Sequence, residues 1–262
     1  MLLGAHSALM YFFLYAPILI LVLFSFTTDN FGVRMTGFTF DWYARLLNDD
    51  RLIGASLNTL KVALISTIVS TVIGTLAALA MERFRFRGKG AFDALLYLPI
   101  VIPEVVMALS LLAFFAFSFG IIEQITGWQI RLSLMTVIIS HIAFSISFVV
   151  VVVRASLRGF DRRLEEAAQD LGANEWQTFR RITFPLILPG IVGGALLAFT
   201  LSLDDFIISF FTTGPGASLL PIEVYASVKR SITPKINAIS TIMLLLSMTL
   251  VGISQFIQRQ RR

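Results

Sequence analysis

Three carboxylates stand where carboxylates are costly. Glu104 falls inside the apolar stretch 94–119, and Asp204 with Asp205 inside the stretch 186–211. A charged side chain near the centre of a bilayer costs roughly 2.5–3.5 kcal/mol on insertion scales, so such residues mark pathways, relays or counter-ions. Glu104 lies about ten residues into its stretch, ~15 Å along a helix rising 1.5 Å per residue, which is near mid-depth. Pro99 and Pro103 sit one helical turn apart beside it. Each removes a backbone donor, as expected of a broken helix that lines a cavity. Asp204 lies about eighteen residues into its stretch, ~27 Å from the start and toward the far mouth. Neighbouring residues differ by about 100° around a helix, so Asp204 and Asp205 cannot both face the same way. Acids so placed can receive a cation on its way across the membrane. They can equally pair with a basic residue of a neighbouring subunit, or cap a break in a helix. They are poor lining for an anion, because like charges repel strongly in a low-dielectric cavity.

The elements that must position these acids follow from composition. Of 262 residues, 56% are hydrophobic and 14% charged, with 24 Phe, two His and no Cys. Soluble domains carry roughly 25% charged residues, so this chain cannot cover a globule with polar surface. It is an integral membrane protein. Without cysteine, disulfides and thiolate chemistry are excluded. Six apolar stretches are long enough to cross a bilayer as helices: 8–26, 62–81, 94–119, 132–153, 186–211 and 236–257. They are continuous runs with no ten-residue alternation, which excludes a transmembrane barrel. The first runs longer than a secretory h-region and has no small-residue cleavage pattern after it, so it is expected to stay as a helix. The second is rich in Ser, Thr, Gly and Ala, which let helix backbones approach closely and suit an interior position.

Charge in the connections sets orientation. One side collects Arg83, Arg85, Arg87 and Lys89, then Arg154, Arg158, Arg162, Arg163, Arg180 and Arg181, then Arg259, Arg261 and Arg262. The other side holds fewer basic residues: Arg34, Arg45, Arg51, Arg131, Lys229, Arg230 and Lys235. The richer side belongs in the cytoplasm, which places both termini inside. The net charge of +5 therefore reflects membrane orientation and not nucleic-acid binding. The outer connections 27–56 and 214–235 are long enough to be functional. Trp42, Tyr43 and Trp128 fit an aromatic belt at the outer interface, with a binding-protein contact also open to the first two.

The connection between the fourth and fifth stretches reads as two short helices. Asp161 can cap a first helix through Leu171, with Glu165 and Glu166 near its positive end. Leu164, Ala167, Ala168 and Leu171 make a narrow apolar stripe at i, i+3, i+4 and i+7. Gly172 falls where a left-handed terminating residue is needed. Asn174 and Gln177 form a capping pair for a second helix bearing Trp176, Phe179 and Ile182, before Pro185 opens the next crossing. Such a pair of amphipathic helices can rest on lipid headgroups or dock into the groove of a soluble partner.

The segment Glu166-Ala167-Ala168, three residues, Gly172, nine residues, then Ile182-x-Phe184-Pro185 resembles the EAA loop of binding-protein-dependent ABC importer permeases. Every spacing agrees, and Phe184 replaces the Leu that is common there. Segments 83–88, 103–112, 199–205, 213–216, 220–221 and 234–238 resemble spermidine/putrescine permeases, and the short second permease subunit in particular. The resemblance covers nearly the whole chain. It implies an all-α, six-helix, type I importer permease fold with both termini inside, formed by residues 1–262 as a single permease domain. Residues 161–184 would be the coupling loop, contacting an ATPase through Glu166, Ala167, Ala168, Gly172, Ile182 and Pro185. Glu104, Asp204 and Asp205 would line a polyamine path. The implied partners are a second permease, an ATPase dimer, a periplasmic or lipid-anchored binding protein and inner-membrane lipid. ATP and Mg would be bound by the ATPase, leaving this chain without a cofactor.

Two other classes fit less well. An ion-coupled secondary transporter would favour inverted repeats and a midplane ion site, and neither is evident. An intramembrane hydrolase needs a nucleophile beside a base, and no His stands at recognisable spacing from the acids. The chain also lacks G-x-x-x-x-G-K-[ST], since Gly88-Lys89 has neither the upstream Gly nor the hydroxyl residue, so it does not hydrolyse ATP itself. Within the importer class, another cationic or zwitterionic solute is the alternative cargo.

Overall fold

The computed structural model describes residues 2–32, 34–159, 161, 163–230 and 233–259. Arg162, Arg261 and Arg262, counted above on the basic side, lie outside them. Among the described residues, twelve α-helices follow in order: α1 Leu2–Phe24, α2 Asp41–Leu46, α3 Asp50–Arg83, α4 Lys89–Val101, α5 Glu104–Thr126, α6 Leu134–Arg158, α7 Arg163–Asp170, α8 Glu175–Thr178, α9 Phe184–Asp204, α10 Ile207–Thr212, α11 Leu220–Arg230 and α12 Pro234–Arg259. A π-helical turn, Phe179–Thr183, joins α8 to α9. Among the described residues the one β feature is an isolated bridge, Thr27 with Phe38.

Five helical runs among the described residues are long and apolar enough to cross a membrane: His6–Phe24, Asp50–Arg83, Glu104–Thr126, Leu134–Arg158 and Glu175–Asp204. They coincide with the first five apolar stretches. α12, of 26 residues, occupies the sixth. The boundaries differ where polar residues continue a helix. α3 begins at Asp50 and not near residue 62, because Asp49 accepts the Arg51 and Leu52 amides and caps the start three turns early. Lys61 therefore lies within α3.

Contacts divide the chain into two compact units, with the boundary inside α3 after Ser56. The first comprises residues 1–56 and 220–249. Its core is Trp42, Leu46, Leu52, Leu220, Ala238 and Ile239. Trp42 is buried and donates its indole N–H to the Thr27 carbonyl at 2.7 Å. It is therefore a core residue and not the belt anchor expected from sequence, because its ring has a hydrogen-bond partner inside the protein. Tyr43 packs in an aromatic group with Phe26 and Phe40 and bonds Ser25 through its hydroxyl at 2.7 Å. Arg51 pairs with Glu223 at 3.2 Å, and Lys235 with Asp49. The hydrogen bond from Lys235 holds the Asp49 carboxyl below its ordinary pKa, against a smaller opposing effect of burial.

The second unit, residues 57–219 and 250–262, packs chiefly through α6 against α9. Its core includes Ala78, Val149, Val150, Val153, Ile187 and Ala198. Lipid offers no hydrophobic drive for helices to associate, so close backbone approach must supply the packing. Gly190 provides it: a Cβ there would lie 2.1 Å from Ser156 Oγ. Gly74 of α3 does the same against Val149, where a Cβ would meet the side chain at 2.8 Å. The small residues of the second apolar stretch thus face inward, with Ser66, Ser70 and Ala78 buried.

Candidate functional site

Two helix breaks make the site. The first falls at Ile102-Pro103, where α4 ends and α5 begins. Pro103 has no amide to donate and disfavours helix in the residue before it, and Ile102 is accordingly extended at ψ 136°. The expected break is present, but Glu104 opens α5 instead of lying midway along a continuous helix. Its depth counted along one uninterrupted crossing therefore no longer applies. Glu104 is the first residue of α5.

The second break falls at Asp205, between α9 and α10, where the sequence suggested one continuous crossing. Asp205 has extended backbone, and its two carboxylate oxygens accept the Ile208 amide at 3.2 Å and the Ser209 amide at 2.8 Å. From the position before the N-cap Phe206, the acid satisfies two orphan amides of the following helix, so the break comes with its own compensation. Asp204, one residue earlier, is exposed, while Asp205 is 7% exposed. The two acids differ in environment because α9 ends between them, and not through the 100° step of one continuous helix.

His141 of α6 completes the cluster. It is 2% exposed, with Nε2 3.0 Å from Asp205 Oδ2 and 3.0 Å from Ser209 Oγ, and Nδ1 2.7 Å from Ser202 Oγ. With the Nε2 proton directed to the carboxylate, a neutral ring accepts from Ser202 at Nδ1. Ser202 lies a further 3.2 Å from Ser66 of α3. Glu104, half-buried, lies within hydrogen-bonding reach of Asp205. One polar network therefore ties α3, α5, α6, α9 and α10 together within the bundle. Buried polar groups are tolerated where each finds a partner, and here the partners come from five helices. Nothing in the spacing of residues 141 and 205 signals this contact in the sequence, which offered no His at recognisable spacing from the acids.

The structure brings Glu104 and Asp205 together and leaves Asp204 facing away from the cluster. Two adjacent carboxyls form a site that is satisfied by a proton or by a cation held between them. The carbonyl end of α9 abuts the same break, and a helix C-terminus also favours positive charge.

The loop at the other end of α6 is built much as its sequence indicates. Asp161 accepts the Arg163 amide at 3.0 Å. α7 ends in a Schellman motif, with Gly172 N–H to Gln169 O at 2.8 Å and Ala173 N–H to Ala168 O at 3.0 Å. Gly172 has φ +88°, a conformation only glycine adopts cheaply. Asn174 and Gln177 form the reciprocal capping box. One expectation fails: the second short helix does not stop before Pro185. It runs through the π-turn into α9, where the Phe184 amide reaches back five residues to the Phe179 carbonyl. Pro185 cannot donate, and the wider turn just before it accommodates the ring. Glu166, Ala167, Gly172 and Pro185 are exposed, and Ala168 and Ile182 half-buried. Ala168, Leu171, Gly172, Gln177, Arg181 and Ile182 line a groove of about 300 Å³. Leu171 is 91% exposed and Trp176 66%. Apolar side chains this exposed, beside a groove, mark a surface that something else covers.

Broken membrane helices with acids at the breaks, and a capped amphipathic loop on one side, define a multi-pass transport protein. The chain belongs to the family of binding-protein-dependent transport system inner membrane components, whose model matches residues 70–262. It is 42% identical over 258 residues to the spermidine/putrescine transport system permease protein PotC of Escherichia coli (strain K12), covering 98% of this chain and 94% of that one. It is 41% identical over 233 residues to the putrescine transport system permease protein PotI of the same strain, covering 88% of this chain and 82% of that one. These relatives are transport subunits and not enzymes. The fold matches a crystal structure of a bacterial ABC transporter involved in the import of the acidic polysaccharide alginate, with a TM-score of 0.77 at 22% identity over 99% of this chain and 95% of that one. The fold is thus that of a type I ABC importer permease, and the protein is a multi-pass component of the inner membrane.

Proposed function

We propose that this chain is the permease subunit of an ATP-driven, binding-protein-dependent importer that carries polyamines, spermidine or putrescine, across the inner membrane. The observation that carries this reading is the similarity, over 98% of the chain, to a permease named for those two amines. Site chemistry supports it. A polyamine presents ammonium groups spaced along a flexible chain, and the Glu104–Asp205 pair with Asp204 offers separated acceptors at helix breaks. In this reading residues 1–262 form one permease domain of six crossings with both termini inside. The cargo would be met by the exposed Asp204 and the half-buried Glu104.

The chain would pair with a second permease and receive its cargo from a binding protein. Glu166, Ala167, Ala168, Gly172, Ile182 and Pro185, within the loop 161–184, would seat the ATPase dimer, which binds ATP and Mg. Apolar helix faces docking in a groove account for the exposed Leu171 and Trp176.

Uptake of radiolabelled spermidine and putrescine, in cells expressing this chain with its partner subunits, tests the proposal. Saturable uptake of at least one amine, lost when the binding protein is omitted, is the expected result. No uptake of either amine by an assembled complex would overturn the substrate.

A further inference from the structure

Two consecutive residues at the end of α3 reach in different directions to charged partners. Arg83 donates through Nη2 to the Glu165 carboxylate of α7 and, at 3.2 Å, to Thr183 Oγ1 at the end of the π-turn. Thr183, fully buried, donates its own hydroxyl to the same Glu165 oxygen. Glu82 faces Arg154 of α6, with Nε at 3.6 Å, and Arg158 at 4.0 Å. Arg154 also donates to Asp93 of α4. Arg154 is 5% exposed, a burial that an arginine sustains only when its charge is matched. An acid at a helix C-terminus opposes the helix dipole, so Glu82 is placed against its local preference and is held there by the two arginines.

These contacts serve neither the carboxylate site nor the groove of the loop, yet they join the loop to three membrane helices. α7 precedes Gly172 and the π-turn follows α8, so Glu165 and Thr183 bracket the exposed loop. Arg83 binds both sides of the bracket. A π-turn inside a helix is a frequent mark of a functional joint.

We propose that the Glu82–Arg83 step is a positioning device. Through Arg83, Glu165 and Thr183 it fastens the loop 161–184 to α3, and through Glu82, Arg154 and Asp93 it fastens α3 to α4 and α6, so that movement of the loop is delivered to the bundle. The inference rests on the loop being the ATPase seat. Coupling between two sites needs a physical element that both of them bias, and this clamp supplies one.

The test uses the complete importer, reconstituted in proteoliposomes, with four forms of this chain: wild type, Arg83→Glu, Glu165→Arg and the double exchange. Each single variant should retain the ATPase subunit and its ATP hydrolysis, while amine uptake per ATP hydrolysed falls by roughly tenfold, within the usual range of coupling between sites. The double exchange should recover most of the lost uptake, because the pair is restored with its signs reversed. A purely structural role would instead lower assembly and hydrolysis together. Unchanged uptake in Arg83→Glu, or impairment that the double exchange leaves in place, would overturn the clamp. Should either single variant fail to assemble, Thr183→Val keeps the bulk and removes the shared hydroxyl. It should lower uptake per ATP in the same direction, and a wild-type ratio would overturn the proposal. Failure of the wild-type chain to retain the ATPase would count against the seat itself, a result distinct from failure of the clamp.

Discussion

Asp204 and Asp205 are neighbours in sequence with opposite environments, and their roles separate accordingly. Asp205 caps α10 through two amides and holds His141, so its carboxylate is committed to the fold. Asp205→Ala should lower the thermal stability of the purified complex by roughly 1.5–3 kcal/mol, the worth of hydrogen bonds to a charged group. Glu104 and Asp204 carry less structural obligation: Glu104 is half-buried and Asp204 exposed. Glu104→Gln and Asp204→Asn should therefore leave assembly and stability near wild type and lower polyamine uptake. Thermal unfolding and uptake, read on the same preparations, check this division. A fall in stability for Glu104→Gln with unchanged uptake would make that residue structural.

The loop shows how element-level rules survive in a membrane protein. Its caps are made by local bonds that need no distant partner, and Gly172 closes α7 with φ +88°. Gly172→Ala should cost about 1–2 kcal/mol of local stability, the price of a left-handed conformation for a residue with a Cβ. Gly172→Pro should do far more. Proline fixes φ near −65° and removes the amide that bonds Gln169. We expect the membrane helices to insert as before while the ATPase subunit no longer co-purifies. Retention of the ATPase by this variant would remove the loop from its proposed role. The two helix breaks follow a different pattern. Pro103 announced the first, whereas the second carries an aspartate whose carboxylate accepts two α10 amides and also meets the distant His141.

For the molecule as a whole, we propose from the charge asymmetry of the connections that the side richer in basic residues faces the cytoplasm. The chain contains no cysteine, so single cysteines can report on sidedness without background. Leu171 and Trp128 are 91% and 75% exposed and lie in connections assigned to opposite sides. In intact cells, Trp128→Cys should react with a membrane-impermeant maleimide, and Leu171→Cys only after the membrane is opened. The reverse pattern would invert the topology. α1 is also a whole-molecule matter. No residue of the span His6–Phe24 is fully buried within this chain, and most of its side chains are exposed.

The membrane class, the apolar stretches, the proline break before Glu104 and nearly every cap of the loop were legible in the amino-acid sequence. Each rests on hydropathy, or on hydrogen bonds between residues a few positions apart, and such interactions are encoded where they occur. Other features came only from tertiary structure: the union of His141 with Asp205, the buried Trp42, and the ion pair between Arg83 and Glu165, 82 positions apart. A buried polar side chain must find its partner wherever packing brings one, and no local periodicity records which distant helix will supply it. The sequence determined which residues needed partners, and the packing of α3, α6 and α9 decided who those partners are.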